Sequence, residues 1–244
     1  MADCRKGAID VIIPHLNYGR FLKECLSSIR AQGVDANVTL VDAGSTDSTF
    51  DVLREFPEVR ILSFKSDVRD AFVYGFNHTS ADYVVFFSSD NVMLPEFLKS
   101  AKKALDANPE AGLAYGYAHE VGEDGVRTGR DLHGGAYSRS RLAINNFIDS
   151  SEGVFRRSAW SGTYPSWLVC HPDWAIWLEI CERWKAVNLD RPVVLFRVHG
   201  STFSNRRRAE IDAEAAVIRR KNSEGFPFRP ATNSHGDVLH AAQN

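Results

Sequence analysis

The 244-residue chain contains 44% hydrophobic and 25% charged residues, which is ordinary for a globular protein in water. Its formal net charge of -2 provides no global field that would attract nucleic acid, so we expect no nucleic-acid partner. No apolar segment reaches the roughly 20 residues that span a bilayer, and the start MADCRKGAID has no signal-peptide hydrophobic region, so a cytoplasmic location is expected.

The cysteines give no sign of a metal site or a disulfide framework. All four are scattered along the chain and form no CxxC pair: Cys4, Cys25, Cys170 and Cys181. We interpret them as thiols in a reducing compartment.

Short apolar runs alternate with amphipathic segments in the first half of the chain. Strands are predicted over 9–14, 38–41, 59–64 and 83–87, and helices over 21–29, 49–56, 70–78 and 95–107, the last opened by proline. Buried strands separated by helices predict an α/β fold in which a mostly parallel central sheet has helices on both faces.

The second half is less regular. A strand is predicted over 112–121, followed by a turn and a polar, irregular stretch over 129–151. A helix beginning near Asp173 carries Trp174, Trp177 and Trp184 on one face, which we interpret as core packing rather than as a platform for sugar stacking. A strand over 192–199, a basic helical segment over 206–221 and a disordered tail over 230–244 complete the prediction.

Polar residues cluster where the predicted strands end. Ligands of an open parallel sheet bind beyond the carboxyl ends of its strands, so these residues should meet at one site. Taken alone, the DAGSTDST loop is explained equally well by a turn and a helix cap, and for Asp90 alone a loop or cap role is the favoured interpretation. The residues are His15 and Asn17 after the first strand, Asp42, Gly44, Ser45 and Asp47 after the second, and Ser88, Ser89, Asp90 and Asn91 after the fourth.

Five segments in order resemble the family 2 glycosyltransferases. DVIIPHLNYGRFLKECLSSI, VTLVDAGSTDST and YVVFFSSDNVMLPEFL are similar to the family's IIPxxN start, VVDDGSTDGT loop and FLDADD or FLNSDD strand end. HPDWAIWLEI is similar to its EDYDLWLRL motif, and FRVHGSTFS to YRxHxxSxS. The resemblance implies a GT-A fold in one domain over 1–205, with a nucleotide-binding half over 1–112 and an acceptor-binding half over 113–205. Residues 206–244 would form a C-terminal helix and tail.

The family's chemistry implies roles for particular residues. The resemblance implies an inverting transferase that moves a sugar from a nucleotide-sugar donor, with UDP favoured, to a saccharide, lipid-linked or other hydroxyl acceptor. Asp173 would be the general base or simply a helix cap, and Asp90 with His199 would hold Mn or Mg, although a histidine after a strand is more often structural. The implied donor-nucleotide residues are Pro14, His15, Asn17, Asp42, Gly44, Ser45, Arg69, Asp70 and Ser89, with Asp42 accepting from the uracil N–H. Arg156 and Arg157 would face phosphate or acceptor, or be solvated.

The chain departs from the family pattern at several carboxylates. Ala43, Ser88, Asn91 and Pro172 stand where family members often carry acidic residues, and Val73 replaces a common asparagine. Fewer anionic ligands should weaken metal binding without the donor diphosphate, so a cation is expected to bind mainly together with nucleotide. The losses also leave open a catalytically inactive nucleotide-binding or scaffolding relative. A nucleotidyltransferase would need a glycine-rich basic loop after the first strand, and PHLNYGRF lacks one.

The basic segment over 206–221 leaves peripheral membrane contact open. It carries five arginines and one lysine, but Glu210, Asp212 and Glu214 dilute this charge, which favours a solvated helix. Acceptor recognition is expected in the irregular region over 120–164.

Overall fold

The computed structural model of the protein describes residues 9–165, 167–202, 207–225 and 228. The first half contains β1 (Ile9–His15), α1 (Gly19–Arg30), β2 (Ala36–Asp42), α2 (Thr49–Leu53), β3 (Arg60–Ser63), α3 (Val68–Asn77), β4 (Tyr83–Phe86), β5 (Val92–Met93) and α4 (Phe97–Ala107). The second half contains β6 (Ala111–Val121), β7 (Arg127–Leu132), α5 (Arg139–Ile144), β8 (Gly153–Arg156), α6 (Pro172–Ile180), β9 (Lys185–Arg197) and α7 (Arg208–Ser223). Short 3-10 helices lie at Ser150–Glu152 and Arg157–Ala159.

One sheet runs through both halves in the order β3-β2-β1-β4-β8-β6-β9-β5, with β7 paired to β6. The first four strands are parallel, so His15 at the end of β1 lies opposite Asp42 at the end of β2. β8 joins the halves by pairing antiparallel with β4 and β6, while β9 runs parallel to β6. The predicted α/β fold with a mostly parallel central sheet is confirmed, and the ends of β1, β2 and β4 meet at one edge.

Each face of the sheet carries its own hydrophobic core. Alternate side chains of β1 point to opposite faces, because the side-chain period of a strand is two residues. Ile9, Val11 and Ile13 therefore pack in the core beneath α1 and α4, whereas Ile12 packs in the core beneath α3 and α6. A Cβ at Gly75 would lie 2.4 Å from Cγ2 of Ile12, so this glycine allows α3 to approach β1 closely.

The tryptophan stripe of α6 packs in the core, as the sequence predicts. Trp174 and Trp177 are 1% and 0% exposed. Their indole N–H groups donate to the carbonyl oxygens of Leu142 (2.6 Å) and Ile148 (2.8 Å). Buried indoles with satisfied N–H groups anchor α6 against the segment that precedes β8.

Several elements differ from the sequence prediction. The stretch over 129–151 is not irregular throughout, since it includes most of β7, all of α5 and the start of a 3-10 helix. The residues of β7 are exposed from Arg127 to Asp131, so they lack the apolar alternation that reveals a strand. β9 begins at Lys185, well before the predicted start at 192, and β5 and β8 are too short to detect from sequence.

Two helix starts also differ from the prediction. Glu96 has a left-handed φ of 67°, so α4 begins at Phe97 and Pro95 lies outside it. α3 begins at Val68, because the side chain of Asp67 caps the helix by accepting from the backbone N–H of Asp70 at 3.0 Å.

The C-terminal helix α7 is docked rather than fully solvated, which corrects the sequence interpretation. Glu214, Ala215 and Ile218 on one of its faces are buried. Phe228 is 1% exposed, with its ring centroid 6.3 Å from that of Trp167. The tail over 230–244, predicted to be disordered, lies outside the described residues.

No helix within the described ranges is long and apolar enough to cross a membrane.

Candidate active site

Two adjoining cavities lie at the sheet edge where β1, β2 and β4 end. The smaller one, about 250 Å³, is bounded by the strand ends and the start of α3. The larger one, about 480 Å³, is bounded by the start of α6, the residues before β8 and one face of α7. Val68, Phe72, Ser88 and Asp90 line both cavities, so the cavities meet at Asp90.

Asp42 lies behind the wall of the smaller cavity. It is 3% exposed, and its carboxylate accepts from the backbone N–H groups of Gly44 (3.0 Å) and Ser45 (3.1 Å) and from the Ser45 hydroxyl (2.5 Å). Gly44 has a φ of +103°, a conformation that favours glycine. These bonds match the interpretation of DAGSTDST as a turn, and a contact between Asp42 and uracil stays a prediction.

Asn17 and His15 join the loop after β1 to the loop after β2. Asn17 has a left-handed φ of 56°, its side-chain oxygen accepts from the backbone N–H of Thr46 at 2.8 Å, and its own N–H donates to Ser45 at 3.0 Å. His15 contacts the Thr49 hydroxyl through Nε2 at 2.7 Å. Burial lowers the pKa of His15, so its imidazole is neutral.

His15 faces the smaller cavity together with Pro14 and Ser89, three of the residues that the sequence predicts for the donor. Nδ1 of His15 is buried and has no hydrogen-bond partner among the described residues. Because the Thr49 hydroxyl donates to Asp47, the His15 proton lies on Nε2 and Nδ1 is an acceptor. His15 thus retains one unused acceptor atom, which is buried behind the cavity wall.

Arg69 and Asp70 lie beside the cavities without lining them. The Arg69 guanidinium pairs with Asp70 at 2.7 Å and donates to the carbonyl oxygen of Leu168 at 2.8 Å. Their neighbours Asp67 and Val68 line the smaller cavity instead. The Arg69 and Asp70 pair thereby joins the start of α3 to the loop that leads into α6.

His199 contacts Asp90 at the junction of the two cavities. Nε2 of His199 is 3.1 Å from Oδ2 of Asp90, and Nδ1 is 2.9 Å from the Ser201 hydroxyl. The His199 side chain is 0% exposed, and the Tyr18 and Phe21 rings lie 5.3 and 4.9 Å from its own. Arg197, at the end of β9, donates to the Asp90 carbonyl oxygen at 2.9 Å, which fixes the backbone of this loop.

The donor atoms at this junction fit a divalent metal only in part. A carboxylate oxygen and an imidazole nitrogen are suitable ligands for Mn²⁺, and Mg²⁺ accepts the carboxylate. Within the described ranges, no group of three or more His, Cys, Asp or Glu side chains could hold an ion. Asp90 and His199 therefore fit a metal that takes its remaining ligands from water and from a bound diphosphate.

Asp173 lies at the start of α6 and lines the larger cavity. Its Oδ2 accepts from the side-chain amide of Asn146 at 2.9 Å, and its Oδ1 accepts from the backbone N–H of Trp174 at 2.8 Å. Burial, reinforced by the nearby charge of Asp149, raises the pKa of Asp173 to about 6. Asp173 is thus a carboxylate that can accept a proton near neutral pH.

Four residues around Asp173 are not indicated by the sequence. Asn146 and Asp149 line the larger cavity, and Oδ1 of Asn146 is buried without a partner in the described chain. His133 also lines it, has a left-handed φ of 63°, and contacts the fully buried Glu152 at 2.7 Å. Although burial alone would lower it, the Glu152 charge raises the pKa of His133 to about 9. His133, Asn146 and Asp149 lie in weakly patterned loops and Glu152 ends a 3-10 helix, so only the polarity of this region indicated a role.

Arg156 and Arg157 are structural, so neither sequence interpretation of this pair holds. The Arg157 guanidinium pairs with the buried Asp10 at 2.8 Å and donates to the Phe76 carbonyl oxygen at 2.8 Å. Arg156 donates to the carbonyl oxygens of Ala111 (2.8 Å) and Leu105 (2.7 Å). Neither arginine lines either cavity.

Comparison with known proteins places this arrangement in a family. An uncharacterized glycosyltransferase of Nostoc sp. (strain PCC 7120) is 24% identical over 213 residues, which cover 79% of this chain and 65% of that protein. The chain therefore spans less than two thirds of this relative's length.

Two solved structures share the fold. The mannosyltransferase PcManGT from Pyrobaculum calidifontis has a TM-score of 0.67 at 18% identity, covering 91% of this chain and 65% of that one. Glucosyl-3-phosphoglycerate synthase from Mycobacterium tuberculosis has a TM-score of 0.63 at 18% identity, covering 92% and 81%. The fold is thus the GT-A type that the resemblance implied. Residues 10–164, more than half of the chain, match the profile of glycosyl transferase family 2, and the chain belongs to that family.

Proposed function

We propose that this chain is an inverting glycosyltransferase that moves a sugar from a UDP-sugar to an acceptor hydroxyl. The observation that carries the proposal is the meeting of two cavities at Asp90, with a carboxylate of raised pKa, Asp173, in the larger one. The neighbouring structures were solved with GDP-mannose and Mn²⁺, and with UDP-glucose, Mn²⁺ and phosphoglyceric acid. Both structures pair a nucleotide-sugar with a metal.

The nucleotide is assigned to the smaller cavity. Pro14, His15 and Ser89 line it, and the turn held by Asp42 shapes one wall. Nδ1 of His15 is an unused acceptor but is buried, so a hydrogen bond to an N–H or O–H group of the donor would require the His15 ring to move. Asn17, Gly44 and Ser45 act here through the shape of the loops, because they bond to other residues of these loops. The Arg69 and Asp70 pair of α3 acts through its bond to Leu168 in the loop before α6.

The diphosphate is assigned to the cavity junction, where Asp90 and His199 would hold Mn²⁺ or Mg²⁺. A bound divalent ion supplies charge neutralisation for the departing diphosphate. His199 must be unprotonated at Nε2 to serve as a ligand, so its hydrogen bond to Asp90 would be exchanged for coordination. The N–H at Nδ1 would then donate a hydrogen bond to the Ser201 hydroxyl.

The acceptor is assigned to the larger cavity, where Asp173 is the base. Asp173 takes the proton of the acceptor hydroxyl as its oxygen bonds to the anomeric carbon, and the bond from that carbon to the diphosphate oxygen breaks. Attack from the side opposite the diphosphate inverts the anomeric configuration. The Asn146 amide orients Oδ2 of Asp173 for this step.

The acceptor would be a saccharide or another polyol, free or lipid-linked. The wall near Asp173 offers acceptor atoms from Asn146, Asp149 and Asp173, which suit hydroxyl donors. A lipid-linked acceptor would bring peripheral membrane contact through the arginines of α7. Co-sedimentation with anionic liposomes, with and without residues 206–244, tests that contact.

One experiment tests the function. Melting temperatures measured with UDP, GDP and a panel of their sugars, each with Mn²⁺, should rise most for one UDP-sugar, because a ligand of the native state stabilises it. That donor is then assayed for transfer and hydrolysis. If UDP stabilises the protein but no sugar is transferred or hydrolysed, the alternative of a catalytically inactive family member is favoured. The missing carboxylates at Ala43, Ser88 and Pro172 agree with that alternative. No stabilisation by any nucleotide would contradict both.

A further inference from the structure

Glu214 of α7 lies against the loop that leads into α6. Its carboxylate accepts from three consecutive backbone N–H groups, those of Val169 (2.6 Å), Cys170 (2.8 Å) and His171 (2.7 Å). Nδ1 of His171 makes a fourth contact at 3.3 Å. Glu214 is 9% exposed, so a carboxylate from the C-terminal helix is buried on backbone just before Asp173.

The start of α6 has little other capping. The N-cap residue His171 makes no side-chain capping bond, and Pro172 at the first position has no N–H. Burial opposes ionisation of Glu214, but the bonds from His171 and the loop amides lower its pKa, so it is charged at neutral pH. Hydrogen bonds to a charged acceptor are stronger than neutral ones, and a negative charge near a helix N-terminus is favourable.

The C-terminal helix α7 also contacts the segment that leads to Asn146, the hydrogen-bond partner of Asp173. Arg219 of α7 donates to the carbonyl oxygen of Ile144 at 2.8 Å, and Asn222 donates to that of Ala143 at 3.3 Å. These carbonyls end α5, directly before Asn146. α7 is therefore bonded both to the loop before Asp173 and to the segment before its partner Asn146.

From this geometry we infer that Glu214 is a positioning residue for Asp173. Its carboxylate fixes the backbone over 169–171, so that Asp173 stays at 2.9 Å from Asn146 in the larger cavity. The inference rests on the general-base role proposed above. Because displacement of a catalytic group by about 1 Å can cost roughly 100-fold in rate, loss of this carboxylate should act on turnover rather than on donor binding.

The test compares E214Q with E210Q in the full chain. E214Q keeps the size but turns an NH₂ group toward N–H donors. Glu210, one turn earlier, pairs with the side chain of Arg207 and reaches the loop only through a 4.0 Å contact with the Cys170 thiol, not through a backbone N–H group. For E214Q we expect kcat for UDP-sugar transfer to fall by about 10- to 100-fold. The acid limb of its pH profile should shift, and amide exchange at Val169 to His171 should accelerate. The UDP Kd should stay within about twofold, because neither Glu214 nor its partners Val169, Cys170 and His171 line the smaller cavity, and E210Q should match the wild type throughout.

Wild-type kcat in E214Q despite faster exchange would overturn the inference, and so would unchanged exchange. If E214Q does not fold, E214D, whose carboxylate is too short to reach all three amides, must show the same selective fall in kcat. If the wild type transfers no sugar, the proposed function fails on its own. The inference is then decided by ¹³C-detected titration of Asp173. E214Q must move its pKa toward that of an exposed aspartate, and an unchanged titration contradicts the role.

Discussion

The His199 imidazole contacts the Asp90 carboxylate at 3.1 Å across 109 residues of sequence, at the point where the two cavities meet. The pair offers one carboxylate and one imidazole nitrogen, and a divalent ion needs more than two ligands. We predict that Mn²⁺ binds weakly to the protein alone and at least about tenfold more tightly when UDP is present, because the diphosphate completes its coordination. Calorimetry with and without saturating UDP measures the difference.

Variants of the pair make this prediction specific. Asp90→Asn and His199→Ala should each remove most of the UDP-dependent gain in Mn²⁺ affinity, since each deletes one ligand. His119→Ala, a change of the same kind at a histidine that pairs with Asp131, is the control. Equally tight Mn²⁺ binding with and without UDP would refute the shared-ligand account.

The His133 and Glu152 pair should make stability depend on pH. Burial raises the pKa of Glu152 from 4.5 to about 7, and the Glu152 charge, against the effect of burial, raises that of His133 from 6.5 to about 9. Protonation of both groups therefore stabilises the fold, and this stabilisation is lost progressively as the pH rises from about 4.5 to about 9. Chemical denaturation at pH 6 and pH 9 should show this fall. His133→Gln should lower the free energy of unfolding by about 3 kcal/mol at pH 6 and by less at pH 9, because the variant loses the stabilisation that accompanies protonation of His133. If His133→Gln lowers the free energy of unfolding equally at pH 6 and pH 9, the pairing of His133 with Glu152 is contradicted.

Asp173 should destabilise the fold in its charged form. Its pKa is raised from 3.8 to about 6, so the folded state disfavours ionisation, and the cost appears as the pH rises from 4 to 6 and persists above. Asp173→Asn should therefore raise the free energy of unfolding by about 1 to 2 kcal/mol at pH 8 and have little effect at pH 4. Urea unfolding at pH 4 and pH 8 checks this. A lower free energy of unfolding for the variant than for the wild type at pH 8 would contradict a destabilising charge on Asp173.

Asp42 distinguishes a loop-shaping role from direct contact with a base. Its carboxylate accepts from Gly44 and Ser45, so Asp42→Ala should leave buried N–H groups unsatisfied and lower the free energy of unfolding by about 2 kcal/mol. Melting curves with and without UDP report both effects. A loss of UDP affinity without a loss of stability would show that Asp42 serves the nucleotide directly.

Much of the fold was predictable because buried strands and amphipathic helices have different periods. β1 and β2 are apolar runs ending in polar residues, so both the sheet and the edge that holds His15, Asp42 and Asp90 follow from pattern. The exposed strand β7 was not predictable, since RTGRDL has no alternation. The position of β7 in the sheet depends on its antiparallel pairing with β6.

The candidate site was predictable where a residue belongs to a motif. Asp90, Asp173 and His199 stand in recognisable segments, and the structure places all three around the larger cavity or its junction with the smaller one. Asn146 and Glu214 could not be predicted, because their roles depend on tertiary contacts with residues 27 and 43 to 45 positions away. Single-sequence patterns carry no information on such contacts.

The most direct test of the account is the rate of UDP-sugar transfer by Asp173→Asn, measured beside UDP affinity in the same samples. The amide keeps the size of the side chain but cannot take a proton, so general-base catalysis is lost while the smaller cavity is unchanged. We predict a fall in kcat of at least about 100-fold, with the UDP Kd within about twofold of the wild type. Transfer by Asp173→Asn at the wild-type rate would contradict the assignment of the base and, with it, the proposed mechanism.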